Sequence, residues 1–511
     1  MNCQKKNILT MEIALVLFFS ICAFTVLGVS FGFAQEKTKT DSSQLLQDVA
    51  PADYEALFGA RMQRTMSLLA TSNARRKNPV KILFYGQSVT AQAWTNILTN
   101  ELRKRFSNTD IIAENRAIGG FTAPLLVRTA LHDVYSFYPD LVVFHVWGGL
   151  STGEFERIVS NIRRNTTAEI AIWTHHISQP GEVGSEEFMS RLRADDYESN
   201  AIRYLTQKYD CELIDVRLEW DKYLKEHNLE PKALLRDMVH LNARGCQLMA
   251  TLIARHFRFN PLFPCGWTNT VRTYEAKRLP DEGTGDEITF TGKPWGIVEA
   301  SAVGVSPESA LQLTFKGNRV DVIAGSVKSE RPGTARVFID GKPPSENPML
   351  YTITLPSKAF RCWMPAIKRV SHVSKLICED WTLRILEISG DAAQFTYEVI
   401  GSKTGYDGVG SNNETFISNS GRVVIEPRDF MITWVQNYFK TKCPVGFEVT
   451  WSVQPMFLDT YVPPVMNDSS GVNIVTLAKG LENGIHTLKI VPNGDGVIPI
   501  EEIQVHCPPL Q

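Results

Sequence analysis

The sequence predicts a three-layer α/β domain built on a parallel sheet, followed by an all-β region. Between residues 80 and 257, five short apolar runs are separated by helix-length amphipathic segments. That alternation fits a parallel sheet with helices on both faces. Beyond residue 260 the pattern becomes short alternating runs punctuated by Gly, Pro and Asn, as in antiparallel, sandwich-like strands. With 511 residues the chain is too long for one ordinary core, so two or three domains are expected.

At the N-terminus, Lys5 and Lys6 precede an uncharged run from Ile13 to Ala34 that ends Gly32-Phe33-Ala34-Gln35. Residues 1–34 read as an export signal cut after Ala34, placing the protein outside the cytoplasm: secreted, periplasmic or cell-surface. The run is long enough to span a bilayer, so an uncleaved anchor is the alternative. Cys22 follows a poor lipoprotein signal, and no lipid anchor is expected. Residues 35–79 form an N-terminal segment, polar to residue 50. A helix over 51–72 follows, with Leu57, Met62, Met66, Leu68 and Leu69 on one face.

The α/β domain spans 80–259. Its expected strands are Lys81–Tyr85, Ile111–Glu114, Leu141–Val146, Glu169–Trp173 and Glu212–Val216, with helices over 90–106, 123–134, 153–164, 187–208 and 241–256. Asn260-Pro261-Leu262-Phe263-Pro264-Cys265-Gly266 marks the boundary. In 260–511, Leu311–Phe315, Arg319–Ala324, Ala335–Ile339, Phe395–Val399, Arg422–Ile425, Phe447–Trp451, 484–491 and 499–506 read as strands, and Asp340-Gly341 as a hairpin turn.

The formal net charge of −2 gives no basic field, which argues against nucleic acid and against a polybasic membrane contact. Two of the nine cysteines, Cys3 and Cys22, leave with the signal. The remaining seven, Cys211, Cys246, Cys265, Cys362, Cys378, Cys443 and Cys507, include at least one free thiol. Cys362 with Cys378 and Cys265 with Cys507 are the pairings considered. No Cys-x-x-Cys pair or Cys/His metal spacing occurs, so neither a metal nor a cofactor is expected.

Two segments carry chemistry. The first strand ends in Gly86-Gln87-Ser88, where Ser88 either caps the following helix or presents a nucleophile. Asp237 and His240 stand three apart, just before the last helix, either as a solvated pair or as a carboxylate that orients an imidazole base. Both segments belong at the carboxyl edge of the parallel sheet, where α/β folds assemble sites.

Gly86-Gln87-Ser88, Asn115-Arg116-Ala117-Ile118-Gly119-Gly120 and Asp237-Met238-Val239-His240-Leu241-Asn242 together resemble the SGNH/GDSL hydrolase family over residues 80–257. The resemblance implies a flavodoxin-like three-layer domain in which Ser88, His240 and Asp237 are catalytic. The N–H groups of Ser88 and Gly120 would line the oxyanion hole. Two departures stand out. Gln87 replaces the usual Asp and looks like sialate O-acetylesterases, although their next residue, Asn, is Val89 here. The third block has no Asn after Val142-Val143-Phe144-His145-Val146-Trp147-Gly148-Gly149, so a backbone N–H of Gly148 or Gly149, or His145, is expected in its place. His176 is expected to contact substrate, and Trp147 is expected to stack on a sugar ring or pack in the core. Arg116 would reach either an acidic sugar or a surface ion pair. Trp363, Trp381, Trp434 and Trp451 share the choice between sugar platform and core.

The β region resembles galactose-binding-like jelly rolls, with about 346–464 as an insertion or second β unit. Together these features point to an exported serine esterase that removes acetyl or similar acyl groups from a polysaccharide or oligosaccharide. A polysaccharide O-acyltransferase and a catalytically impaired carbohydrate-binding protein are the alternatives.

Overall fold

The computed structural model describes residues 44–263, 270–277, 287–325, 332–464 and 471–510. The export signal and Cys265 lie outside the described residues. Among the described residues no helix is long and apolar enough to cross a membrane.

Five parallel strands form the first sheet: β1 (Pro79–Gly86), β2 (Asp110–Asn115), β3 (Leu141–His145), β4 (Glu169–Trp173) and β5 (Glu212–Ile214), in the order β2-β1-β3-β4-β5. This is a doubly wound order whose switch point lies between β1 and β3. β3 and β4 are buried along their whole length, as strands covered on both faces must be. Register pairs Phe84 with Asn115 and Gly86 with His145. The segments after β1, β2 and β3 therefore leave the sheet together at one edge.

The helices of this domain are α1 (Gln63–Thr71), α2 (Trp94–Arg105), α3 (Ala123–Ala130), α4 (Glu154–Asn165), α5 (Glu186–Lys208), α6 (Val216–Glu226) and α7 (Ala243–Ala254). α4 buries Phe155, Ile158, Val159 and Ile162, the i, i+3, i+4, i+7 stripe of a core-facing helix. The helix expected over 51–72 is instead a short turn at Glu55–Leu57 followed by α1. Gly59 interrupts it with φ +81 and donates its N–H to Glu212 at 2.8 Å. α6 was not expected; it buries Trp220, Tyr223 and Leu224 behind a strongly charged outer face.

The rest of the chain is β-rich and antiparallel. A nine-stranded sheet is built around Ser309–Ala324, which pairs with Ile474–Pro492 on one side and Ile498–His506 on the other. Between these strands in sequence, Tyr351–Ile353, Glu448–Pro455, Asp380–Ile388, Phe395–Gly401 and Gly405–Ser411 make a separate five-stranded sheet, the inserted sheet. Helix α8 (Ile432–Phe439) packs with it.

The inserted sheet and the α/β domain share one hydrophobic core. Leu126, Ala130, Phe144 and Phe155 belong to the same buried cluster as Ile353, Met364, Ile367 and Trp381. His132 is buried at this contact. Its Nδ1 donates to the Ile353 carbonyl at 2.6 Å and its Nε2 accepts from the Val370 N–H at 3.4 Å, which requires the neutral ring. Burial pushes its pKa down to about 4, consistent with that form. The opposite face of the parallel sheet has its own core, with Trp94, Trp173, Trp220 and Leu248.

Cys362 and Cys378 are free, so the pairing considered for them does not form. Cys362 sits in a tight turn closed by its own N–H on Ala359, with its sulfur accepting from the Met364 N–H. Cys507 is also free, and its proposed partner Cys265 lies outside the described residues.

Candidate active site

Ser88 occupies the turn that follows β1. The chain does not enter a helix at once. Ala91 N–H bonds Gln87 O and Gln92 N–H bonds Val89 O, and α2 begins only at Trp94, with Ala93 as its cap. Ser88 is half-buried and caps no helix, which removes the structural alternative for it. The segment after β2 is tied to this turn. Asn115 Nδ2 donates to Thr90 O at 2.8 Å, and Ile118 N–H donates to Gly86 O at 3.0 Å. Gly119 is thereby seated beside Ser88, where an added Cβ would lie 3.7 Å from the serine Cβ.

Asp237 and His240 lie in the loop that precedes α7. The Asp237 carboxylate accepts from His240 Nδ1 at 2.9 Å and from the N–H groups of Val239 at 2.9 Å and His240 at 2.7 Å. Burial alone would raise the Asp237 pKa, but these hydrogen bonds outweigh it and hold the carboxylate well below its usual range. With Nδ1 donating, the lone pair of His240 is left on Nε2, the atom a general base uses. Asp237 thus stays ionised wherever an imidazole titrates, so the acid limb of a kcat/KM–pH profile is expected to have unit slope. A slope of two would show the carboxylate titrating in the same range.

The loop is positioned from three sides. Asn242 caps α7 by accepting from Gly245 N–H at 3.0 Å. Gly245 lets the loop close, since a Cβ there would meet Leu234 O at 2.1 Å. Most directly, Gln92 Nε2 donates to Leu241 O at 2.9 Å while Leu241 N–H donates to Gln92 Oε1 at 3.0 Å. This two-bond clamp holds the Ser88 turn against the His240 loop. Nothing local in the sequence marks Gln92, because its partner lies 149 residues away.

The expected substrate contacts His145, His176 and Trp147 are buried, not on the surface. His145 stacks on Trp173 with ring centres 3.5 Å apart. Its Nε2 meets His175 Nδ1 at 2.7 Å, and His175 Nε2 donates to Glu198 at 2.8 Å. Trp147 stacks on His175, with its Nε1 toward Asp195. His176 Nε2 donates to Val239 O at 2.7 Å, so this side chain supports the Asp237–His240 loop from beneath. Burial pushes its pKa down to about 3, keeping it neutral. Arg116 pairs with Glu114 at 2.7 Å, the surface ion pair of the two readings.

The glycine loops divide. Gly148 N–H points to Glu198 at 3.4 Å. No hydrogen bond within the described residues engages the N–H groups of Ser88, Gly120 or Gly149. Gly149 has φ +71, and an added Cβ there would lie 2.7 Å from that of Ala123. A side chain at that position would collide with the start of α3.

The inserted sheet contributes to the same edge. Trp363 Nε1 donates to Gly119 O at 2.9 Å, and a Cβ on Gly120 would lie 2.7 Å from Met364 Cε. Trp363 is 52% exposed and Trp434 39%, whereas Trp381 and Trp451 are core residues. Core packing thus accounts for Trp381 and Trp451 and not for Trp363 and Trp434. Among the described residues no group of three or more His, Cys, Asp or Glu side chains is arranged to hold a metal ion.

No family model and no curated protein matches this chain. Solved structures do. An acetyl xylan esterase, AlAXEase, is 22% identical, covers 34% of this chain and 98% of its own, and has a TM-score of 0.29. The acetylxylan esterase Axe2 from Geobacillus stearothermophilus is 18% identical over 36% of this chain and 97% of its own, with a TM-score of 0.31. A two-domain esterase active on acetylated mannans, co-crystallized with mannopentaose, is 13% identical over 88% of this chain and 95% of its own, with a TM-score of 0.30.

Proposed function

We propose that this chain is an exported serine esterase that removes acetyl or other small acyl groups from a carbohydrate. The observation that carries the reading is the Asp237–His240 pair, held at 2.9 Å and clamped through Gln92 to the turn bearing Ser88. In this reading Ser88 Oγ attacks the ester carbonyl carbon as His240 Nε2 takes its proton. The N–H groups of Ser88 and Gly120, joined by that of Gly149, face the oxyanion that forms. The tetrahedral intermediate collapses with release of the sugar hydroxyl, which takes the proton back from His240. Water activated by the same imidazole then cleaves the acyl-serine.

The carbohydrate part rests on two features: the exposed indole of Trp363 beside Gly119, and early and late β strands that share one sheet, as in a galactose-binding-like jelly roll. Export rests on the N-terminal sequence alone. The test is acetate release from a panel of acetylated plant and algal polysaccharides and from p-nitrophenyl acetate, with fluorophosphonate labelling of the purified protein. Turnover and a label on Ser88 are expected. Absence of both overturns the esterase reading.

A further inference from the structure

We propose that the inserted sheet carries a glycan-binding subsite of its own, formed on α8 by Trp434 and Tyr438 and linked by aromatic contacts to Trp363 at the Ser88 edge. The proposal rests on the esterase reading only for its link to catalysis; the binding itself does not depend on it.

Trp434 and Tyr438 stand four apart on α8, so their rings fall on one face of the helix. They lie parallel, with centroids 4.6 Å apart and an interplanar angle of 11°. Both line a cavity of about 550 Å³, together with Asn412, Pro427, Phe430 and Asn437. An open, half-apolar cavity with an exposed indole suits a pyranose ring. The C–H face of the sugar covers the aromatic surface while its hydroxyls stay near water and the amide of Asn437.

Continuity with the catalytic edge favours a polymer over an isolated sugar. Phe439 meets Trp434 at 6.2 Å and Trp363 at 5.2 Å, and the Trp363 indole bonds Gly119 beside Ser88. One aromatic track therefore runs from the cavity to the nucleophile turn. A contiguous exposed apolar patch rimmed by polar groups marks a binding surface, whereas single exposed residues do not. Here the aromatic residues belong to a unit whose core is continuous with that of the α/β domain, so the track is fixed relative to Ser88. A glycan chain seated on it would present acylated units to the serine in a defined register.

The experiment separates binding from turnover. The full-length Ser88→Ala protein is run in gels containing soluble xylan, glucomannan or alginate. Retardation in at least one polymer is expected. Trp434→Ala with Tyr438→Ala should weaken binding on the order of 30-fold, as loss of an aromatic anchor does. Trp434→Phe, which keeps a stacking face, should restore much of it. In the Ser88 background the same double substitution should leave fluorophosphonate labelling and p-nitrophenyl acetate turnover unchanged. Retardation that survives the double substitution, no retardation in any polymer, or a dimer that dissociates on substitution would each overturn the proposal. Polymer binding lost on substitution, in a protein that neither labels nor hydrolyses esters, would sink the esterase reading and leave the subsite standing.

Discussion

Replacing Ser88 with alanine is expected to lower kcat for ester cleavage by on the order of 10⁴–10⁶-fold and to leave the fold unchanged. Both halves of this follow from the turn after β1. The Ser88 side chain caps no helix, because α2 starts at Trp94 behind Ala93. Removing a hydroxyl from a half-buried turn position should therefore cost less than about 0.5 kcal/mol. A large catalytic loss is expected because, in the proposed mechanism, Ser88, His240 and Asp237 act as a unit. Without the nucleophile, the hydrogen bond that holds the imidazole has nothing to activate. His240→Ala should be nearly as damaging as Ser88→Ala, and the double variant no worse than either, since removing one member already disables the set. Steady-state kinetics on p-nitrophenyl acetate, with melting temperatures alongside, read both effects. A Ser88→Ala protein that keeps more than about a tenth of the activity would remove Ser88 from the mechanism; additive losses in the double variant would argue against a coupled unit.

What was legible in the sequence follows from how each feature is encoded. The five strands of the α/β domain could be read because burial on both faces forces near-continuous apolar runs, and β3 and β4 show this along their full length. The Asp237–His240 hydrogen bond could be read because a three-residue spacing just ahead of a helix lets a carboxylate reach an imidazole. Gln92 could not: a long side chain bonding backbone 149 residues away leaves no local pattern. Trp363 is a candidate in the sequence, but its contact with Gly119, 244 residues distant, is not readable there. His145 ends β3 and follows its period onto the face of Leu141 and Val143, whereas Trp147 and His176 lie past the strands, where the loops set the side-chain direction. All three turned inward, into a buried set of imidazole and indole rings. Helix α6 escaped because Arg217, Glu219, Asp221, Lys222 and Lys225 break up the apolar stripe of a helix that buries only part of its surface.

Arg128→Ala is expected to destabilise the protein by about 3 kcal/mol, the largest effect anticipated from a residue other than Ser88, His240 and Asp237. Arg128 lies in α3, the helix that follows the Gly119-Gly120 loop. Its guanidinium grips Asp429 of the inserted region through Nε and through Nη2, the latter at 2.6 Å, and reaches Glu426 at 3.4 Å. Asp429 is 2% exposed. Taking away the arginine would leave a carboxylate in the shared core without its partner, and such an orphaned charge costs far more than an exposed pair contributes. Lys368 softens the loss. It is also buried, with a pKa that burial pushes down to about 8 against the opposing attraction of Asp429, and it can supply part of the missing charge. This sets the expectation at the lower end of the usual 3–5 kcal/mol range. Replacing both partners, Arg128→Met with Asp429→Leu, should recover most of the stability, because no charge is then stranded. The functional consequence separates the two substrates. The Ser88 turn, the Gln92 clamp and the His240 loop make no contact with Asp429, so p-nitrophenyl acetate turnover should survive at temperatures where the variant is folded. Trp363 and Met364 meet Gly119 and Gly120 from the inserted unit, so in the proposed reading polymer turnover should fall further. Thermal melts with limited proteolysis check the first expectation and paired kinetics the second. If Arg128→Ala costs less than about 1 kcal/mol, or if it depresses both substrates equally, the ion pair does not hold the inserted sheet against the catalytic edge.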